Sequence, residues 1–509
     1  MDGDNLSSIP LLSHHDDSQL DGSNKNTAVL TDNGRSFVFS KVVDEIKSLY
    51  IIALPTIITG LLIYGKSAIS MHFLGKISKD ALAGGSLAIG IANITGFSVI
   101  SGLAAGMDGI SSQAYGAQQL VLVGQILQCT IIILIIICIP ISILWVNSES
   151  ILALCGQNST ISFIASTYLI FTLPDLFFQC LINPLKIYLR TQNVTSPLMF
   201  SSALALILHF LMNYLILHTF SLDIRGIALI SAITDLNFLI ILLVYLWFTG
   251  ACSKSWNGWS WECFNQWKPI LHQSIPSCVS ICLEWWWYEL LIIFSGLLTN
   301  TADALATTGI IIQATSLIYN FPFALSLAIS TRVGNELGAQ RPNKAKASSF
   351  IALLCSIFTG IMAMIFMITM SNVWGRMYTK DKAILSLLAT TLPIVGLCEI
   401  GNCPQTTICG VLKGSARPTL GANINLVSFY GVGFPISVLM GFVFNLGLLG
   451  LLLGLLAAQI VCATIMIIVL ARTDWRMQAD RAKELIGGIN VSNGENHEGM
   501  EALVSRLLN

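Results

Sequence analysis

Asp80–Gly90 reads DALAGGSLAIG, and Asp303–Gln313 reads DALATTGIIIQ. The second stretch begins 223 residues after the first. Three further pairs keep nearly the same offset. QAYGAQ (113–118) faces NELGAQ (335–340), YLRT (188–191) faces VLKG (411–414), and GIALISAITD (226–235) faces GLLLGLLAAQ (450–459). Chance similarity would not stay in register over four separate segments. The chain is therefore one structural unit used twice.

Composition says what that unit is made of. Of 509 residues, 54% are apolar and only 10% are charged, and the mean hydropathy is +0.75. A soluble protein carries about 25% charged residues, so this chain cannot solvate its surface in water. Apolar stretches long enough to cross a bilayer as helices fall at 49–73, 82–106, 120–145, 161–182, 197–219, 225–249, 272–298, 304–330, 347–371, 384–409, 419–444 and 447–471. Twelve spans make six per repeat. An even number gives the two copies the same orientation, with the repeat axis along the membrane normal. The expected fold is an all-α integral membrane protein of twelve transmembrane helices, in two six-helix lobes with pseudo-two-fold symmetry.

The expected organisation is a disordered cytosolic tail at 1–40, an N-lobe at 41–249 and an interlobe cytosolic loop at 250–271. A C-lobe at 272–471 and a cytosolic C-terminal tail at 472–509 follow. The first tail is polar and lacks an apolar h-region, so it does not read as a cleavable signal peptide. With both termini in the cytosol, the cytosolic segments hold nineteen of the twenty-six Lys and Arg residues, Lys186, Arg190 and the group from Arg472 to Lys483 among them. Seven remain elsewhere, including Lys66. This asymmetry supports that orientation. Leu11-Leu12 resembles a dileucine sorting signal, with Ser7 where an acidic residue is wanted; it favours an endomembrane over the plasma membrane.

GLAAGMDGISSQAYGAQ (102–118), CLEWWWYELLIIFSGLL (282–298), STRVGNELGAQRP (330–342) and GVLKGSARP (410–418) together resemble the plant branch of the MATE family, the multidrug and toxic compound extrusion transporters. The resemblance covers about residues 40–480. It implies an antiporter that moves organic solutes out of the cytosol against protons, with sodium the weaker alternative, by alternating access. It also implies that Glu284, the first glutamate of the CLEWW motif, handles protons or substrate in the C-lobe. The aspartate that plant relatives tend to carry in the tenth helix falls at Thr406, which cannot titrate. Glu399, two turns earlier on nearly the same face, is the expected substitute. The first-helix acid of bacterial relatives falls at Ser70, which favours the C-lobe for proton handling. Asp108 matches a glutamate that precedes the CGQAxGA motif.

The residues themselves point the same way. A proton antiporter needs a carboxylate that gains and loses a proton at the working pH, and burial among apolar groups disfavours the charged form. Ionisable groups at membrane depth face a cavity or a partner. Glu284 is mid-span, with Trp287 and Tyr288 one turn along on its own face. Glu289 is a further candidate for proton coupling or the cavity, but it is five positions on, about 140° around the helix, and that separation favours a bond to a neighbouring helix instead. Gln313 and Asn320, seven apart, are expected to line the C-lobe cavity or to join helices. Asp175, beside Pro174, and Asp235 read as lobe-stabilising acids, and Asp108 as a group that shapes the turn between the second and third helices.

Thirteen cysteines lie scattered, many in apolar runs, and read as small buried hydrophobes. No metal-ligand spacing, nucleotide-binding loop or enzyme motif is present, so neither cofactor nor metal is expected. Near-zero net charge gives no footprint for nucleic acid. The expected partners are a small organic solute, protons and the bilayer, with the protein a monomer. Acidic central groups favour cationic or neutral solutes. The alternative reading, a flippase for lipids or lipid-linked molecules, would want a more basic cavity for phosphate.

Overall fold

The computed structural model describes residues 32–219, 223–298 and 301–487. Among the described residues twelve helices are long and apolar enough to span a membrane: α1 (Ser40–Ile77), α2 (Lys79–Gly116), α3 (Leu120–Val146), α4 (Ser159–Thr191), α5 (Ser196–Leu215), α6 (Ile224–Thr249), α7 (Trp267–Ser295), α8 (Thr301–Gly338), α9 (Pro342–Tyr378), α10 (Lys382–Gly414), α11 (Pro418–Val443) and α12 (Leu448–Ala471). No strand occurs among the described residues. Several helices outrun their apolar stretches. The 38 residues of α8 extend about 57 Å, against about 30 Å of hydrocarbon. Their ends run past the apolar zone, where hydropathy gives no signal but intrahelical hydrogen bonds still close.

Starts and stops follow side-chain chemistry. Ser78 Oγ accepts from the Ala81 amide at 2.9 Å, Asn158 Oδ1 from Thr160 at 2.9 Å and Asp381 Oδ1 from Ala383 at 2.8 Å, satisfying amides that a first turn leaves unpaired. Gly250, at φ +59°, closes α6 in the left-handed region that a side chain disfavours.

The buried apolar side chains form two cores. One draws on residues from Phe73 to Ile270, the other on residues from Trp287 to Ala482. α1 serves both, since Leu49, Ile52 and Ala53 join the second core while Phe73 and Leu74 join the first.

The repeat seen in the sequence is a repeat in the backbone. Gln118 and Gln340 both have positive φ, and so do Asn193 and Ala416. The QAYGAQ and NELGAQ motifs meet each other. A Cβ on Gly116 would strike the backbone of Asn335, and a Cβ on Gly338 would strike the backbone of Gln113. Each motif's glycine thus receives the first residue of the other motif, the reciprocal contact of a two-fold axis. Asp108 and Ser330, also equivalent, hydrogen-bond to each other at 2.8 Å.

Two expectations for the tails change. α1 is part of a helix that starts at Asp32, inside the stretch read as a disordered tail; residues 1–31, including Leu11 and Leu12, lie outside the described residues. Residues 475–487, within the stretch read as the C-terminal tail, are helical and packed on the lobes. Trp475, Ala479 and Ala482 join the second core and Ile486 the first, with Gln340 Nε2 donating to the Ala479 carbonyl at 2.8 Å. The spacing of those four residues gives one apolar stripe, present in the sequence but masked by the surrounding basic residues. Residues 488–509 lie outside the described residues.

Candidate functional site

Among the described residues two cavities lie between the helices, one lined mainly from each half. The C-lobe cavity holds about 340 Å³ and is lined by Glu284, Trp285, Tyr288 and Glu289 of α7, by Thr315, Ser316, Tyr319 and Asn320 of α8, by Asn93 and Ile94 of α2, by Ile312 and by Asn402. Glu284 is buried, and among the described residues its Oε1 has no hydrogen-bond partner. Tyr319 is its polar neighbour across the cavity.

Glu289 lines this same cavity, contrary to the expected separation of the two glutamates. The helical step does divide them by about 140°, but five residues also rise about 7.5 Å. A concave wall that follows the helix axis collects both.

Glu399 sits behind the cavity wall and is only 2% exposed. It accepts from Asn402 Nδ2 at 2.9 Å and from Cys403 Sγ at 3.8 Å. Asn402 does line the cavity, so Glu399 reaches it through that amide. Tyr288 lies close to both Glu284 and Glu399. Thr406 is buried on α10 away from the cavity, and its hydroxyl has no partner among the described residues.

Trp287 does not face the cavity. It is 1% exposed and packs against Phe429 at 5.7 Å and edge-on to Tyr430 at 6.0 Å between ring centroids. Residues 426–433 of α11 form a π-helix there, and Gly433 leaves room for the indole, since a Cβ would lie 3.1 Å from Trp287 Cη2. Trp287→Ala should therefore cost roughly 3 kcal/mol of stability, read as a lower melting temperature of the purified protein. Its transport at a temperature where both proteins are folded should keep the wild-type pH profile. Trp286, by contrast, donates from Nε1 to the Ile94 carbonyl at 3.3 Å.

Gln313 takes the second of its two expected roles and joins helices. It is exposed and accepts from the Tyr64 hydroxyl of α1 at 2.6 Å. Asn320, one repeat of seven further on, does line the cavity and also meets α1, where Gly60 lacks the Cβ that would strike the Asn320 amide. The pair joins helices along one face of α8.

The N-lobe cavity holds about 360 Å³. Lys66 of α1 contacts Asp235 at 2.6 Å and Asp175 at 3.4 Å. Ser231 donates to Asp175 at 3.1 Å, and Gln179 donates to Asp235. Lys186 lines the same cavity. Ser70 bonds to His209 at 3.2 Å, and His209 to Thr234 at 2.7 Å. Sequence reasoning treated Lys66 and Lys186 only as topology signals. A lysine inside an apolar span, with two acids also at membrane depth, was the available sign of this cluster. Lys186 was assigned to a loop because α4 runs nine residues past its apolar stretch. Asn93 and Trp285 line both cavities; Asn93 opens a π-helical turn at 93–97, which no local residue pattern announces.

Asp108 does more than shape a turn. At the ends of the even-numbered helices, its Oδ1 lies 2.9 Å from Arg190 Nη2, and its Oδ2 accepts from Ser330. Arg190 Nε donates to Thr331 Oγ1 at 3.2 Å, and Gln113 Nε2 donates to the Gly414 carbonyl at 3.0 Å. Asp108, Gln113, Arg190, Ser330 and Thr331 are at most 5% exposed, and Gly414 is buried too. They form a polar latch between the two halves.

The MatE family model matches residues 55–215 and 276–439, one match in each half. The chain belongs to the MATE family. Protein DETOXIFICATION 48 of Arabidopsis thaliana is 51% identical over 447 residues, covering 88% of this chain and 84% of that protein. Protein DETOXIFICATION 49 of the same organism is 49% identical over 448 residues, covering 88% and 89%. The crystal structure of the eukaryotic MATE transporter AtDTX14 superposes with a TM-score of 0.84 at 29% identity, over 87% of this chain and 99% of that one. A Vibrio cholerae MATE transporter, VcmN, shares the fold at a TM-score of 0.77 and 16% identity, over 88% and 99%. This MATE protein is thus a multi-pass membrane transporter of the efflux class.

Proposed function

We propose that this transporter is an antiporter that exports organic solutes in exchange for protons, with Glu284 as the group that both bind. The observation that carries this is a buried carboxylate at membrane depth, on a cavity wall, with one oxygen left without a partner. A buried polar atom without a partner costs free energy, so the site has reason to take up a proton or the cationic group of a solute, one at a time. Mutual exclusion of that kind is what exchange requires. The acids that line this cavity suit cationic or neutral solutes. Alternating access would then need the latch around Asp108 to open and close, with the face that carries it and both termini in the cytosol. An endomembrane is the favoured location.

The test is flux. Proteoliposomes holding the purified protein are loaded with ethidium, a fluorescent organic cation, and an opposing proton gradient is imposed. Efflux that follows the gradient and collapses with a protonophore supports the proposal; efflux indifferent to pH and dependent on sodium overturns it.

Glu399 supports Glu284 from behind Asn402. Glu399→Gln is expected to slow gradient-driven efflux by less than the loss of Glu284 does. Adding Thr406→Asp should restore part of it, since the two positions share a face about 10 Å apart. Wild-type efflux by Glu399→Gln removes Glu399 from the mechanism.

A further inference from the structure

Asp175, Gln179, Asn183 and Lys186 stand at helical spacings of four, four and three residues, which puts them in one stripe along α4. All four line the N-lobe cavity. The acid end of the stripe is occupied, because Asp175 and the neighbouring Asp235 share the Lys66 ammonium. The basic end is not. Among the described residues Lys186 has no ion pair or hydrogen bond; its Nζ stands 5.4 Å from the centroid of the Phe238 ring. Its nearest acids, Asp235 and Asp175, are both engaged by Lys66, so an ammonium on this cavity wall with no contact anion of its own can receive one. Phe97, Tyr168, Phe238 and Phe323 supply apolar and aromatic wall around it. The volume, about 360 Å³, is in the range of sites for small organic ligands.

We propose that Lys186 is the receptor for an anionic group of the transported solute, and that the N-lobe cavity binds small aryl carboxylates. The carboxylate meets the Lys186 ammonium, and the ring lies among the aromatic side chains. This widens the solute class beyond the cations and neutral compounds that suit the C-lobe cavity. It rests on the reading of the chain as a solute exporter, but not on Glu284 as the proton site. The two lobes would divide the work, with an anion-receiving position in one and a proton-carrying position in the other.

The experiment uses the purified full chain and three probes of one skeleton: phenylacetate, phenylacetamide and phenethylamine. Binding is measured by calorimetry. Wild type should bind phenylacetate at least roughly tenfold more tightly than the amide, because a charge pair withdrawn from water is worth that much or more. Lys186→Gln should erase the preference and Lys186→Arg should keep it. A preference that survives Lys186→Gln, or no phenylacetate binding by folded wild type, overturns the proposal. So does a titration in which phosphatidylglycerol, and not phenylacetate, depends on Lys186, because the site would then hold a lipid headgroup. Phenylacetate binding that depends on Lys186 in a protein whose efflux ignores pH would sink the proton antiport alone.

Discussion

Glu284→Gln should cut proton-driven efflux by roughly 5–150-fold, the span of coupling free energies of about 1–3 kcal/mol, and leave the fold intact. Gln keeps the size of the side chain and removes only its ability to exchange a proton. The cavity wall should hold, because Glu284 makes no ion pair among the described residues and its Oε1 has no hydrogen-bond partner. Melting temperature and chromatographic behaviour should therefore match wild type while ethidium efflux under a proton gradient falls. Downhill exchange of labelled for unlabelled solute, with no gradient, should persist, since the helices can still rearrange. Wild-type efflux by Glu284→Gln would remove this residue from coupling. Loss of exchange as well as efflux would make Glu284 indispensable for holding the solute, beyond its part in coupling.

The second large effect belongs to the latch. Arg190→Ala leaves Asp108 buried at 1% exposure without its cation. Removing one partner of a buried ion pair costs about 3–5 kcal/mol, because the remaining charge is desolvated and unpaired. The protein should melt well below wild type. Asp108→Asn combined with Arg190→Gln removes both charges and keeps polar groups for Ser330 and Thr331, so it should recover most of that loss. The double variant should still transport poorly if the latch orders the closed state. Equal melting of Arg190→Ala and wild type would show that the 2.9 Å contact contributes nothing to stability.

What could be read from the sequence follows physical range. Twelve spans were legible because a bilayer imposes a long and uniform apolar signal. The repeat was legible because equivalent backbone positions carry equivalent constraints. Gly116 and Gly338 each meet the partner motif's backbone, and Gln118 and Gln340 share positive φ. Glu284 stood out as an acid in an apolar run. What escaped depends on how helices face each other. Nothing local says that Trp287 turns towards Phe429 while Tyr288 lines the cavity, because all of 284–288 occupy one turn and the π-helix of α11 decides which side is filled. Lys66 and Asp235 are 169 residues apart, so their pairing appears only on folding. Asp108 and Arg190 were each visible as polar residues near span ends, yet burial by the opposite half is what turns them into a latch.

The most direct test of shared occupancy at Glu284 is proton release on solute binding. Ethidium is titrated into purified protein in weakly buffered detergent at neutral pH, and released protons are counted with an indicator dye. Wild type should release up to one proton for each ethidium bound, and Glu284→Gln should bind without release. Binding by wild type with no proton release, or the same release from Glu284→Gln, would contradict competition between solute and proton at this carboxylate.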